Sequence, residues 1–331
     1  MKKIIAMLLV LVMVLGLAAC GGKSEAPAAS GAKTYKVGVA IYEFNDNFMT
    51  LYRNEILDYF KTLETADVKY DVTVVDGKTD MATQTNQIDT FITQGMDVII
   101  CNLVQTSSAD DIIDKVVAAN IPLVLINREP LGPTDESYPG ILNNASVCYV
   151  GADARQSGTY QGEIIVETAT KGDINGDGVV KYVMIMGDPE NPDAKYRTEF
   201  SIKALTDAGI KVEKLVEQTG MWQTDKGQEI ANSALSQFGD EIDVILCNND
   251  GMALGAAAAI EAAGRKVGED IYLVGVDALT ECQEMVKAGT MTGTVLNDHI
   301  GQSHTAVDVA VAALQGKPMN NYYWVNYVKV V

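Results

Sequence analysis

The chain has 331 residues, room for about two domains, and its 47% hydrophobic content is that of a globular core, which excludes collagen, coiled coil and wholesale disorder. Its 44 acidic against 25 basic residues leave a formal charge of -19, and a surface that acidic repels phosphate backbones and argues against a nucleic-acid partner.

In chain order, Lys2 and Lys3 precede an apolar run from Ile4 to Ala19, too short to span a bilayer and shaped as an export signal over residues 1–19. The run ends Leu17-Ala18-Ala19-Cys20, which resembles a bacterial lipobox and implies lipidation of Cys20. Residues 20–34, rich in Gly, Ala, Ser and Pro, are then a flexible tether, and the protein works outside the cytoplasm, lipid-anchored to the cell membrane. Strands are predicted over Lys36–Ile41, Val68–Val75, Val98–Asn102 and Pro122–Asn127, then over Lys181–Met186, Ile210–Val216, Val244–Asn248 and Tyr272–Asp277. Helical periodicity marks Phe48–Glu64, Ser108–Asn120, Tyr196–Gly209, Lys226–Gly239 and Leu279–Gly289. Strand and helix alternating in this way imply α/β architecture with parallel sheets. Cys101, Cys148, Cys247 and Cys282 could form a disulfide framework in an exported chain, but three of them sit in apolar strand-like runs and are expected as buried free thiols.

The chain also contains two copies of one pattern. Asp97-Val-Ile-Ile-Cys-Asn102 recurs 146 residues later as Asp243-Val-Ile-Leu-Cys-Asn248, and Ile121–Asn127 recurs as Ile271–Asp277 after 150. This near-constant offset predicts two similar doubly wound lobes. The repeated strands end in Asn102, Asn127, Asn248 and Asp277, where open parallel sheets bind ligands. Beside them Asn45-Asp46-Asn47-Phe48, Asp188–Arg197, Met221-Trp222, Asn248-Asn249-Asp250 and Asn297-Asp298 supply aromatic faces, amides and bidentate groups, with Pro192 and Asp193 opening a helix and Arg197 one turn on. That mixture suits a sugar, whose ring has apolar C–H faces and an edge of hydroxyls.

The motifs IYEFNDNFM, NQID, NLV, YVGAD, DINGDG, NPDAKYRT, MW, NNDGMALGA, GVDAL and GTVLND resemble the galactose/glucose-binding proteins, sugar receptors of ABC importers, over nearly the whole mature chain. The resemblance implies a periplasmic binding protein-like, type I fold with a three-segment hinge. Residues 35–149 plus 298–323 form the N-terminal lobe and residues 150–297 plus 324–331 the C-terminal lobe, closing on a D-galactose or D-glucose that an ABC permease receives. It puts ring-stacking aromatics at Phe48 and Trp222 and polar sugar ligands at Asp46, Asn102, Asp193, Arg197, Asn249, Asp277 and Asn297, with Asp46 at the place that tolerates both epimers of the 4-hydroxyl. Asn191 stands where the family usually has His, which leaves the preferred sugar open. Some members of the family also report to chemotaxis receptors.

The resemblance further implies a structural Ca2+. Asp173-Ile-Asn175-Gly-Asp177-Gly-Val179 matches the first seven positions of an EF-hand loop, and Asp243 falls where a distant carboxylate completes the sphere. Lys181 replaces a Gln ligand there, and a calcium-free Asp/Gly turn accounts for the same residues. Other function classes are a glycoside-processing enzyme, with Asp46 and Asp277 as a carboxylate pair, and a receptor for a pentose or galactoside with a sensory role. The chain has only two His and no nucleophile elbow or phosphate loop, so no enzyme activity is expected.

Overall fold

A computed structural model describes residues 31–132 and 137–331; the export signal and Cys20 lie outside the described residues. The first sheet contains β1 (Lys33–Ile41), β2 (Val68–Asp76), β3 (Val98–Cys101), β4 (Leu123–Ile126), β5 (Val147–Gly151) and, from near the C-terminus, β11 (Tyr322–Trp324), all parallel in the order β11-β5-β4-β3-β1-β2. A second parallel sheet runs β7-β6-β8-β9, from β6 (Val180–Met186), β7 (Val212–Thr219), β8 (Val244–Cys247) and β9 (Tyr272–Val274). β10 (Thr294–Leu296) lies beside the end of β9 through the bridges Val274↔Gly293 and Asp277↔Leu296, and pairs antiparallel with β12 (Val328–Val330). The order of the first five strands of one lobe is therefore repeated in the other, which is the structural form of the sequence duplication.

The helices are α1 (Asn47–Thr62), α2 (Met81–Thr93), α3 (Ala109–Ala118), the single turn α4 (Pro139–Leu142), α5 (Ala154–Val166), α6 (Pro192–Asp207), α7 (Thr224–Phe238), α8 (Asp250–Ala262), α9 (Thr280–Ala288) and α10 (His299–Leu314). They cover both faces of each sheet, which is why the central strands VIIC, LVLI, VCYVG and VILC are buried throughout, whereas edge strand β2 alternates in burial. Each lobe has a core on each side of its sheet. One side of the first lobe centres on Tyr52, Ile56 and Phe60 of α1 with Val307 and Ala310 of α10, and one side of the second on Met252, Ala256 and Ile260 of α8. All four described cysteines are buried free thiols, and no helix among the described residues is long and apolar enough to cross a membrane.

The chain passes between the lobes three times: after β5 into α5, after β10 into α10, and between β11 and β12. Several boundaries differ from expectation. Val150 and Gly151, assigned to the C-terminal lobe, complete β5 of the first sheet. Lys33 and Thr34, placed in the tether, are the first residues of β1 and pair with Val68 and Lys69. Trp324, assigned to the C-terminal lobe, completes β11 opposite Gly151 in the first sheet. The strand predicted from Ile210 begins at Val212, because the N–H groups of Gly209 and Ile210 donate to Thr206 and Leu205 carbonyls and close α6.

A clasp is repeated in both lobes. Asp97 donates its N–H to the Lys36 carbonyl at 2.8 Å and accepts the Lys36 N–H on Oδ2 at 2.7 Å; Asp243 does the same to Lys181 at 2.9 and 2.8 Å. The Asp that opens each repeated strand thus locks it to the strand beside it.

Candidate functional site

Strand order reverses between β1 and β3 in one lobe and between β6 and β8 in the other, and the crevice opens at the carboxyl ends of these strands. Asn102 and Asn248 stand at matching ends, both fully buried. Asn102 Oδ1 accepts the Tyr42 N–H at 3.3 Å and Asn248 Oδ1 accepts the Gly187 N–H at 3.0 Å. Each amide therefore braces the loop that follows the first strand of its lobe. Asn102 Nδ2 is spent on the Ile126 carbonyl and Asn127 Oδ1, so Asn102, expected as a sugar ligand, supports the wall from behind and does not line the cavity.

The first wall grows from the end of β1. Asp46 caps α1, its Oδ1 accepting the Met49 N–H at 2.7 Å, while Oδ2 accepts the Tyr42 hydroxyl at 2.8 Å. Phe48, 6% exposed, sits in the first turn with its ring edge-on to Tyr52 and His299. Beyond β4, Asn127 takes a left-handed φ of 62° and Arg128 lays its guanidinium 3.7 Å from the Tyr42 ring centre. Arg128 Nη1 then donates to the Val104 carbonyl and, across the crevice, to Asp188 Oδ2 at 3.2 Å.

The second wall is more constrained. Asn191 caps α6 by accepting the Asp193 N–H at 3.0 Å, with Pro192 in the first turn. Arg197 is fastened on every side: Nη2 to Asp193 Oδ2 at 2.9 Å and to the Tyr327 hydroxyl at 3.0 Å, Nη1 to the Asn248 carbonyl at 2.8 Å, and Nε to Ser157 Oγ at 3.3 Å. Met221 and Trp222 both adopt positive φ, 50° and 67°, which side chains of this size rarely do. The indole thereby lies flat against Gly187, where a Cβ would come 2.2 Å from its ring, so only glycine permits the contact. Asn249 caps α8 and donates to the Trp222 carbonyl at 3.2 Å, tying the indole loop to the helix. At the hinge Asp277, at φ 124°, accepts from Asn297 Nδ2 at 3.3 Å, and Asn297 accepts from Gln302 at 2.6 Å.

Together these residues line a cleft between the lobes. Asp46, Phe48, Asn191, Asp193, Arg197, Trp222, Asn249, Asp277 and Asn297 line it, as do Tyr42, Met49, Asn127 and Arg128, which were not among the expected ligands. Asn127 was legible as a strand-end amide; Arg128 directly follows it, and its approach to Tyr42 depends on the β1–β4 spacing across the sheet. Burial raises the Asp193 and Asp277 carboxyls above the usual range, Asp277 well above it, against the opposing pull of Arg197. A ligand that donates hydroxyls to these carboxylates replaces the hydration that burial removed. Behind Asp277, Asp250 accepts from Thr294 Oγ1 at 2.7 Å and the Leu279 N–H at 2.8 Å, and Thr294 Oγ1 accepts the Ala278 N–H at 3.3 Å. This buried network holds the backbone on either side of the strained Asp277.

The Asp/Gly loop lies away from this cavity. Asp173 accepts the Gly176 and Gly178 N–H groups at 2.8 and 3.0 Å, Asn175 Oδ1 accepts the Asp177 N–H at 2.9 Å, and Asp177 Oδ1 accepts the Val179 N–H at 3.0 Å. Asp177 Oδ2 is paired with Lys181 Nζ at 2.9 Å. Among the described residues no group of three or more His, Cys, Asp or Glu is placed to hold a metal ion. Of the implied set Asp173, Asn175, Asp177, Val179 and Asp243, Asp177 is the one paired with an ammonium in this structure.

Twin α/β lobes, a three-segment hinge and a cavity walled by both lobes define a solute-binding receptor. The chain belongs to the periplasmic binding protein domain family, whose model matches residues 37–318. It is accordingly an extracytoplasmic binding protein and not an enzyme. It is 35% identical to a D-galactose/methyl-galactoside binding periplasmic protein of Haemophilus influenzae, over 88% of this chain and 85% of the relative. A putative rhizopine-binding protein of Rhizobium meliloti is 33% identical over 90% of this chain and 91% of its own length. Among solved structures, an ABC transporter solute binding protein of Bacillus halodurans with bound myo-inositol superposes with a TM-score of 0.77 at 26% identity, covering 92% of this chain and 96% of that one.

Proposed function

We propose that this receptor captures a hexopyranose of the D-galactose/D-glucose type between its lobes and delivers it unchanged to an ABC permease, while Cys20 anchors it by lipid to the outer face of the cell membrane. The observation that carries this reading is the pairing of two aromatic walls from opposite lobes, Phe48 and Trp222, with a belt of carboxylates, amides and a fully fastened Arg197. Rings match the C–H faces of a pyranose, and bidentate groups match vicinal hydroxyls. The galactose-binding relative supports the hexose. With hydroxyls satisfied and both faces covered, affinity near micromolar is expected, about -8 kcal/mol.

A cyclitol is the second reading. It is favoured by Asn191, which offers a neutral amide at the helix cap, and by the myo-inositol bound to a structural relative. Calorimetric titration with galactose, glucose, methyl galactoside, ribose and myo-inositol decides between them. Galactose or glucose binding at least tenfold more tightly than myo-inositol supports the hexose; the reverse order overturns it. Recovery of the bound sugar intact, with its anomers in their solution ratio, separates a receptor from a glycoside-processing enzyme. A chemotaxis or sensor receptor is a further partner for the closed form, and pull-down with sugar present or absent tests it.

A further inference from the structure

The loop at residues 173–179 carries the outline of a calcium site, yet its charge is answered from within the chain. Lys181, second residue of β6, reaches back one helical-turn equivalent to place Nζ 2.9 Å from Asp177 Oδ2. We propose that the Lys181 ammonium is the resident cation of this loop, a tethered replacement for a metal ion, so that the C-terminal lobe reaches full stability without calcium.

Two observations support this besides the ion pair. The first is that the loop's oxygens are satisfied by backbone donors: both Asp173 oxygens, Asn175 Oδ1 and Asp177 Oδ1 each accept an N–H from within residues 176–179. The turn geometry is thus held by Asx-type hydrogen bonds, and one positive charge with N–H donors is what the remaining Asp177 oxygen lacks. The second comes from the duplication. Asp243, the distant carboxylate of the implied set, accepts the Lys181 N–H at 2.8 Å, and its counterpart Asp97 accepts the Lys36 N–H at 2.7 Å. The N-terminal lobe has no Asp/Gly loop beside that clasp, and Lys36 Nζ donates instead to the Gln94 carbonyl at 3.1 Å. Asp243 also accepts from the Asn175 and Ile174 N–H groups, so backbone donors of both the strand and the loop hold its carboxylate. The same clasp fixes the Lys181 backbone, so its side chain emerges from a rigid strand toward Asp177. A tethered ammonium is present at unit occupancy whatever the ion concentration outside the cell, whereas a site with a cation already on one carboxylate repels a second.

Thermal melting of the purified chain in EDTA and in millimolar calcium chloride tests the assignment, together with direct calorimetric titration of calcium. The wild-type protein should melt at the same temperature in both solutions and show no calcium heat. Lys181→Gln should melt about 2 °C lower in EDTA and recover that loss in calcium, binding the ion at least tenfold more tightly than the wild type. A calcium-dependent rise in the wild-type melting temperature overturns the proposal. So does Lys181→Gln melting at the wild-type temperature in EDTA, which would make the ammonium a bystander. The wild-type comparison stands even if the variant expresses poorly.

Discussion

Trp222 shows how much of the site rests on single residues. Its left-handed backbone costs of order 1–3 kcal/mol in a bulky residue, and it persists because Asn249 and the packing of the indole on Gly187 over-determine it. Trp222→Ala should weaken sugar binding at least tenfold, about 1.4 kcal/mol, with the fold intact; unchanged calorimetric affinity removes the indole from the site. Gly187→Ala drives a Cβ into the ring and should cost a similar factor, and because both changes act through one contact the double variant should be no weaker than the worse single one. Additive losses would show that Gly187 acts by another route. Trp222 and Phe48 were recognisable in the sequence as aromatic residues beside strand ends, but the glycine that seats the indole was not, since its requirement comes from a contact 35 positions away.

The buried carboxylate behind the hinge belongs to the element scale, because it joins α8, β10 and the loop after β9. Burial raises the Asp250 pKa to about 6, against Thr294, the Leu279 N–H, Cys282 and Arg197, which pull it down. The unfolded value is the ordinary one near 4. Between about pH 4 and 6 the native state therefore holds a proton that the unfolded chain has released, and by linkage this group adds stability as pH falls through 6 and costs most above it. Asp250→Asn has no such titration. The melting temperature of the wild type should gain on that of the variant as pH drops from 6 to 4, and parallel profiles over that range contradict the assignment. At this scale the sequence was informative about amphipathic helices and poor about others. Periodicity marks α1, α3 and α6, whereas α8, with its GAAAA run, is packed against strands and a neighbouring helix and shows no polar stripe to read. The short β10, β11 and β12 carry three residues each and have no local signal, since a strand that short exists only through its partner.

At the scale of the whole molecule the two lobes meet across the crevice through Arg128 and Asp188, with side chains 2% and 13% exposed. We propose that open and closed forms exchange by bending at the three crossings, so that any contact made only when closed shifts that balance. Arg128→Met should enlarge the sugar-free scattering radius and weaken sugar binding about fivefold or more by reducing the closed population, without altering the core clusters that set melting. A scattering profile identical to that of the wild type would show that the pair does not hold the lobes together.

What the amino-acid sequence by itself determined was periodic or repeated: the alternation that makes parallel sheets, the 146- to 150-residue offset that makes two lobes, and a set of aromatic and polar residues at strand ends. Hydrophobic period and repeat spacing are local or self-referential, so they survive in one dimension. The tertiary structure alone decided which strand-end amides face the ligand. Asn127 and Asp277 line the cavity while Asn102 and Asn248 brace loops behind it, because pairing order sets which strand ends stand beside the crevice. It also decided that Trp324 completes the first sheet and that Lys181 meets Asp177, both being matters of distance between groups whose positions depend on the packing of the whole chain.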